Sequence, residues 1–252
     1  MATFRKKGDS LKSKFPLKKD QRKMHCRVLT DLFEEDDAIQ SWRTFRIMSE
    51  FVSGFDILRK YSTAATFFGS ARLSPTDPAY KIELEKRLKM EKLAKKGFAI
   101  ITGGGPGIME AANVGSYKVG GKSVGLNIQL PMEQKLNPYV TESETFHFFF
   151  SRKVMLSFAS EVYVYFPGGF GTLDEFLEIV TLIQTKKISN IPVVLYGKEF
   201  WTPLLQYFEK TLLKEFKTID KEDMELFHLV DSVDEAFDYI IKHVDPATPR
   251  QV

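Results

Sequence analysis

Five short apolar runs set the strongest constraint on how this chain can fold: AATFF at 64–68, FAIIT at 98–102, SVGLNI at 123–128, EVYVYF at 161–166 and IPVVLY at 191–196. Helical stretches of ten or more residues separate most of them. Strands that alternate with helices need crossover connections, and these produce a mainly parallel sheet with helices on both faces. The expected class is a doubly wound α/β fold. Ahead of the first run, Ile39, Trp42, Phe45, Ile47, Phe51, Phe55 and Leu58 return at spacings near three and four, which predicts an N-terminal helix from about residue 35. No internal repeat and no Pro/Ser-rich linker divides residues 60–245, so 35–245 is expected to be one domain with that helix packed onto it. SVDEAFDYIIKHV reads as its last surface helix, and 246–252 as a tail.

Composition narrows the function classes. At 252 residues, 43% hydrophobic and 27% charged, the chain has the balance of a soluble globular protein. No stretch approaches the roughly 18–20 apolar residues that cross a bilayer, and no apolar signal segment follows the basic N-terminus, so the cytoplasm is the expected location and no membrane partner is expected. Cys26 is the single cysteine, which rules out an intrachain disulfide. His25, His147, His228 and His243 show no metal-ligand spacing, and no metal is expected. Residues 1–23 hold nine Lys/Arg against Asp9 and Asp20, a net +7, which leaves −4 for the remainder of a chain of overall +3. Residues 1–34 are therefore expected to be a basic, largely disordered arm, and a nucleic-acid partner is not expected of the mildly acidic folded part.

Three of the runs end in glycine-bearing turns: FFGSAR at 67–72, ITGGGPGIMEAAN at 101–113 and FPGGFGTLDEF at 166–176. Ligands of open α/β sheets bind at the carboxyl ends of the strands, where such turns lie. Glycine lets backbone approach an anion, and the next helix's N-terminus supplies free N–H groups and a positive dipole end. Two such turns on neighbouring strands would make a phosphate cradle. The dinucleotide fingerprint G-x-G-x-x-G fails, because Ile108 stands where the third glycine would be. GSYKVGGKS at 115–123 is one residue too long for a phosphate-binding P-loop and precedes its strand.

Two charged features flank the turns. Arg152 and Lys153 interrupt the apolar surface of FHFFFSRKVMLSFAS, a predicted helix; as a snorkelling pair on its exterior they need no function. Thr172 and Glu175 have the T-x-x-E spacing of a capping box on a helix starting at Thr172, so cap, dipole partner and catalyst all predict the same residue at 175.

GGGPGIMEAAN at 103–113, SRKVM at 151–155 and PGGFGTLDE at 167–175 together resemble the LOG family of cytokinin-activating nucleoside 5'-monophosphate phosphoribohydrolases, often misnamed lysine decarboxylases. The similarity runs over about residues 43–243 and looks closest to the longer bacterial members. Glu110 departs from the glycine of the plant-type enzymes. The resemblance implies a Rossmann-like homodimer or assembly of dimers, without a cofactor, that hydrolyses the N-glycosidic bond of a purine or cytokinin-type nucleotide. It implies Arg152 and Glu175 as the catalytic pair and Gly104, Gly105, Gly168, Gly169, Gly171 and Thr172 as phosphate holders. Lys153, Glu133 and Thr181 would line the nucleotide. A decarboxylase would need a Schiff-base lysine, and no lysine stands in a motif for one. The rival implied by related folds is a non-catalytic carrier of a phosphorylated ligand such as molybdenum cofactor; a nucleotide sensor whose basic arm reads nucleic acid ranks behind both.

Overall fold

The computed structural model describes residues 37–72, 91–130 and 136–246. The expected arm over 1–34, the candidate residue Glu133 and all of the expected tail but Pro246 lie outside the described residues. The chain divides into two compact units, Met1–Phe45 and Arg46–Val252. Of the first, only residues 37–45 are described: the opening turns of helix α1 (Asp37–Leu58), where the Trp42 and Phe45 rings meet edge to face at 6.2 Å.

The second unit carries a seven-stranded, all-parallel sheet of β1 (Ala64–Phe68), β2 (Ala99–Thr102), β3 (Ser123–Ile128), β4 (Glu142–Phe146), β5 (Val162–Tyr165), β6 (Val193–Tyr196) and β7 (His228–Val230), in the order β4-β3-β2-β1-β5-β6-β7. The strands expected from the five apolar runs are all present, and the α/β class is as the alternation dictates. β4 and β7 are additions. The ESETF of β4 is an edge strand with an alternately exposed, polar face, and β7 is three residues long, so neither presents an apolar run.

Side-chain alternation builds two cores. Along β5, Tyr163 and Tyr165 enter one face while Val162 and Val164 enter the other. The first face lies beneath the end of α1, α3 (Phe149–Ser157), α4 (Phe170–Gln184) and α5 (Lys198–Tyr207), and packs Met155, Phe176 and Trp201. The second lies beneath α2 (Ile108–Lys118) and α6 (Val233–His243), with Phe67, Phe98 and Ile100 at its centre. Phe176 meets Tyr165 at 5.5 Å and Trp201 at 5.3 Å, both edge to face, and Trp201 Nε1 donates to the Tyr196 carbonyl at 3.1 Å. Removing a ring so completely buried typically costs about 3–5 kcal/mol, so α4 is fixed firmly over the sheet. Among the described residues no helix is long and apolar enough to cross a membrane.

Candidate active site

The strand order reverses beside β1, with β2, β3 and β4 on one side and β5 on the other, and the crevice at that reversal is where an open parallel sheet takes its ligand. All three glycine turns meet there. β2 and β5 flank β1 and are not neighbours, which corrects the expectation that the two richest turns end adjacent strands. The β1 turn joins them: Ser70 N–H donates to the Pro167 carbonyl at 3.1 Å, and the Ser70 carbonyl accepts from Ile108 N–H at 3.1 Å. A side chain on Gly107, where φ is +70°, would strike that same carbonyl.

Helix α4 begins at Phe170 with Gly169 as its N-cap and no side-chain cap. The capping box is therefore absent. Thr172 lies inside the first turn, buried, with its hydroxyl folded back over Gly168, where a Cβ would collide with it. The first hydrogen bond of the helix is Leu173 N–H to the Gly169 carbonyl at 3.1 Å. The N–H groups of Gly169, Phe170, Gly171 and Thr172 have no acceptor among the described residues, and Gly171 faces open space. That end of α4 has the chemistry of an anion site.

The β2 turn is held rather than open. Thr102 Oγ1 accepts from Gly104 N–H at 2.9 Å and donates to Asn113 Oδ1 at 2.7 Å. Asn137 Nδ2 reaches the carbonyls of Gly104 and Gly105 at 3.1 and 3.0 Å and Asn113 Oδ1 at 2.9 Å, and Asn113 Nδ2 donates to Ser123 Oγ at 2.8 Å. Of the two glycines expected to hold phosphate here, Gly104 has thus spent its N–H internally, whereas that of Gly105 has no partner among the described residues. Sequence reasoning missed this amide network. Asn113 closes the GGGPGIMEAAN motif and Asn137 precedes Pro138, but nothing in their spacing links them.

Arg152 and Glu175 come from the adjacent helices α3 and α4 and lie close enough to influence each other's charge, though no ion pair joins them within 4 Å. Arg152 Nε donates to the Leu126 carbonyl of β3 at 2.7 Å, and the guanidinium lies so close over Gly103 that a Cβ there would collide with Nη2. Burial pulls the Arg152 pKa down, against the opposing pull of Glu175. Glu175 is 6% exposed, and its carboxyl makes no hydrogen bond among the described residues. Burial raises its pKa to about 8, which the positive charge of Arg152 only moderates, with Glu178 adding to the rise. The neighbouring guanidinium therefore does not keep Glu175 ionised: it is tied to Leu126, and desolvation wins.

Lys153 bridges α3 to α4, with Nζ 2.6 Å from Asp174 Oδ1 and 3.5 Å from Glu178 Oε2. Burial lowers its pKa, but the Asp174 hydrogen bond and the nearby carboxylates more than offset this. Thr181 is exposed and donates to the Leu177 carbonyl at 2.7 Å; six residues beyond Glu175, it lies about 9 Å further along the helix axis. A second element missed in the sequence is Glu50 of α1, whose buried carboxylate accepts from His147 N–H at 2.9 Å, Phe148 N–H at 3.2 Å and the Ser151 hydroxyl. It caps α3, which has no side-chain cap of its own, just ahead of Arg152.

The family model described as "Possible lysine decarboxylase" matches residues 109–240, more than half of the chain. A probable cytokinin riboside 5'-monophosphate phosphoribohydrolase of Oryza sativa subsp. japonica is 29% identical over 130 residues, covering 50% of this chain and 52% of the relative, so the match spans about half of that protein. A probable enzyme of the same name from Arabidopsis thaliana is 28% identical over 162 residues, covering 62% of this chain and 77% of the relative. Among solved structures, the molybdenum cofactor carrier protein of Chlamydomonas reinhardtii superposes with a TM-score of 0.53 at 19% identity, over 72% of this chain and 97% of that one, a likeness of fold. On the family match, which takes in α2, Arg152, Glu175 and the strands between them, the chain belongs to the "Possible lysine decarboxylase", or LOG, family.

Proposed function

We propose that this protein is a nucleoside 5'-monophosphate phosphoribohydrolase, cleaving the N-glycosidic bond of a purine or cytokinin-type nucleotide to release free base and ribose 5-phosphate. The observation that carries this reading is the buried, hydrogen-bond-free Glu175 carboxyl, one turn into a helix whose first N–H groups are unfilled and beside a guanidinium fixed to the sheet. The α4 N-terminus would take the 5'-phosphate, with the Gly105 N–H as a second donor. Binding there anchors the substrate away from the bond that breaks.

As the C1'–N bond breaks, its electron pair leaves with the base and positive charge grows on the ribose. The Glu175 carboxylate would stabilise that charge and accept the proton of the attacking water, while the base gains a proton from solvent. A carboxyl poised near pH 8 suits that role better than an ordinary glutamate, since a general base works best with a pKa near the operating pH. Arg152 would hold the sugar or phosphate. Lys153 would act by neutralising the acidic cluster of α4, and Glu133 and Thr181 stay proposed lining residues.

Incubation with a panel of nucleoside monophosphates, with detection of free base and ribose 5-phosphate, tests this directly. AMP should be cleaved and adenosine should be a poor substrate; equal turnover of the two would overturn the reading. A carrier of a phosphorylated ligand shares the fold, but it has no use for an unpaired buried carboxyl. We further infer a cytoplasmic location and a homodimer or assembly of dimers, the assembly being supported by the exposed Met48, Val52 and Phe55 of α1 and the adjoining Phe158. Light scattering on the purified protein tests the assembly, and a strict monomer would remove it.

A further inference from the structure

Three asparagines stand around the β2 turn, and only two of them are occupied. Asn113 and Asn137 hold the turn. The third, Asn127, is 7% exposed near the carboxyl end of β3; its side chain makes no hydrogen bond among the described residues, and its Oδ1 is shut off from solvent. Val124, Leu126 and Ile128 enter the core beneath α3 and α4, so alternation turns Asn127 to the opposite face, on the same side as Ser123 and Gly125. Ser123 is bonded to Asn113 there, and Gly125 abuts Gly104. An unmet amide directly beyond two satisfied positions is costly for a native interior, and a residue kept at that cost suggests a partner that arrives from outside.

We propose that Asn127 reads the base of the nucleotide, pairing through its carboxamide with the amino-bearing N6/N7 edge of an adenine-type ring; this rests on the nucleotide reading above. Position supports it first. Asn127 follows Leu126, whose carbonyl fixes Arg152, and it lies two residues beyond Gly125, which pairs with Thr102 and abuts Gly104. The unfilled N-terminus of α4 belongs to β5, three strand spacings or about 14 Å away across the sheet edge. A phosphate at one pole and a base at the other would leave the ribose in the neighbourhood of Arg152 and Glu175. Chemistry supports it second. A carboxamide sets one acceptor beside one donor, which complements an amino group next to a ring nitrogen, whereas a 6-oxo purine offers two acceptors on that edge.

Calorimetric titration of the wild-type protein and Asn127→Leu with AMP, IMP and ribose 5-phosphate tests the proposal, with Asn127→Ser as a smaller second variant. The wild type should bind AMP about tenfold or more tighter than IMP, and both variants should bind the two alike with ribose 5-phosphate unchanged. An unaltered AMP-to-IMP ratio in the variants, or an equal loss of ribose 5-phosphate binding, overturns it. Base release by the wild type is scored separately: no release with the expected shift in ratio sinks the hydrolase reading and leaves Asn127 standing, and release with an unshifted ratio does the reverse.

Discussion

Arg152 is held by Leu126, not by Glu175: its Nε donates to the Leu126 carbonyl at 2.7 Å, and the rest of the fork lies over Gly103. The arginine is thereby oriented by the sheet before any ligand arrives. Lysine at this position would keep the charge but would have to give up either the strand carbonyl or the ligand, because an ammonium is a point charge without a planar fork. Arg152→Lys is expected to lower kcat/KM for AMP by about 100-fold or more, with the protein still folded. Near-wild-type kinetics would show that only charge matters at this position.

Glu175 sets activity against stability. Its pKa in the folded protein, about 8, stands above the ordinary 4.5, so the folded chain keeps a proton that the unfolded chain releases. This group therefore contributes most to stability below pH 4.5, and that contribution is lost as pH rises through the window from 4.5 to about 8, by up to about 5 kcal/mol. Glu175→Gln removes the dependence. Thermal melts should show the variant gaining on the wild type between pH 5 and 8 while kcat/KM falls by at least about 1000-fold. In the wild type, kcat/KM should climb with pH and level off near 8. A variant that instead loses ground to the wild type over the same range would contradict the assignment.

Gly171 separates phosphate binding from folding. It lies in the first turn of α4 with nothing near the point where a Cβ would be, so alanine fits the free protein and, as the better helix former, should raise stability by about 0.5–1 kcal/mol. If its N–H faces the 5'-phosphate, the added methyl crowds the ligand, and KM for AMP should rise about tenfold or more. Unchanged KM in a normally folded Gly171→Ala would take the phosphate away from this helix end.

The contrast between what the residues announce and what they conceal has a physical origin. Strands buried on both faces are apolar throughout, so β1, β2, β3, β5 and β6 announce themselves, and a glycine turn between strand and helix is a local pattern. β4, half-exposed, and β7, three residues long, have no such pattern. The T-x-x-E spacing misled because it is satisfied by any threonine three residues before a glutamate; the helix was already under way at Phe170, and Thr172 serves to cover Gly168. The ionisation of Glu175 was illegible for a different reason, since it depends on burial by distant segments. So does the amide network, in which Asn113 and Asn137 are 24 residues apart and meet beside the glycine turn whose carbonyls Asn137 also holds.

Glu50 offers the clearest test of how the N-terminal helix reaches the chemistry. Its carboxylate is buried on α1 and satisfies His147 N–H, Phe148 N–H and the Ser151 hydroxyl, donors at the start of the helix that carries Arg152. Bonds to a charged acceptor contribute about 1.5–3 kcal/mol, and an amide in its place keeps the size while turning one oxygen into a donor aimed at donors. Glu50→Gln should therefore lose about 2–3 kcal/mol, a fall of some 4–12 °C in melting temperature for a chain of this size. The loss should not stop at stability. With the first turn of α3 loosened, Arg152 is less firmly placed, and kcat/KM for AMP should drop about tenfold at temperatures where the variant is still fully folded. Amide exchange at Phe148 and Phe149 should quicken in parallel. A destabilised variant with wild-type kinetics would confine Glu50 to the scaffold.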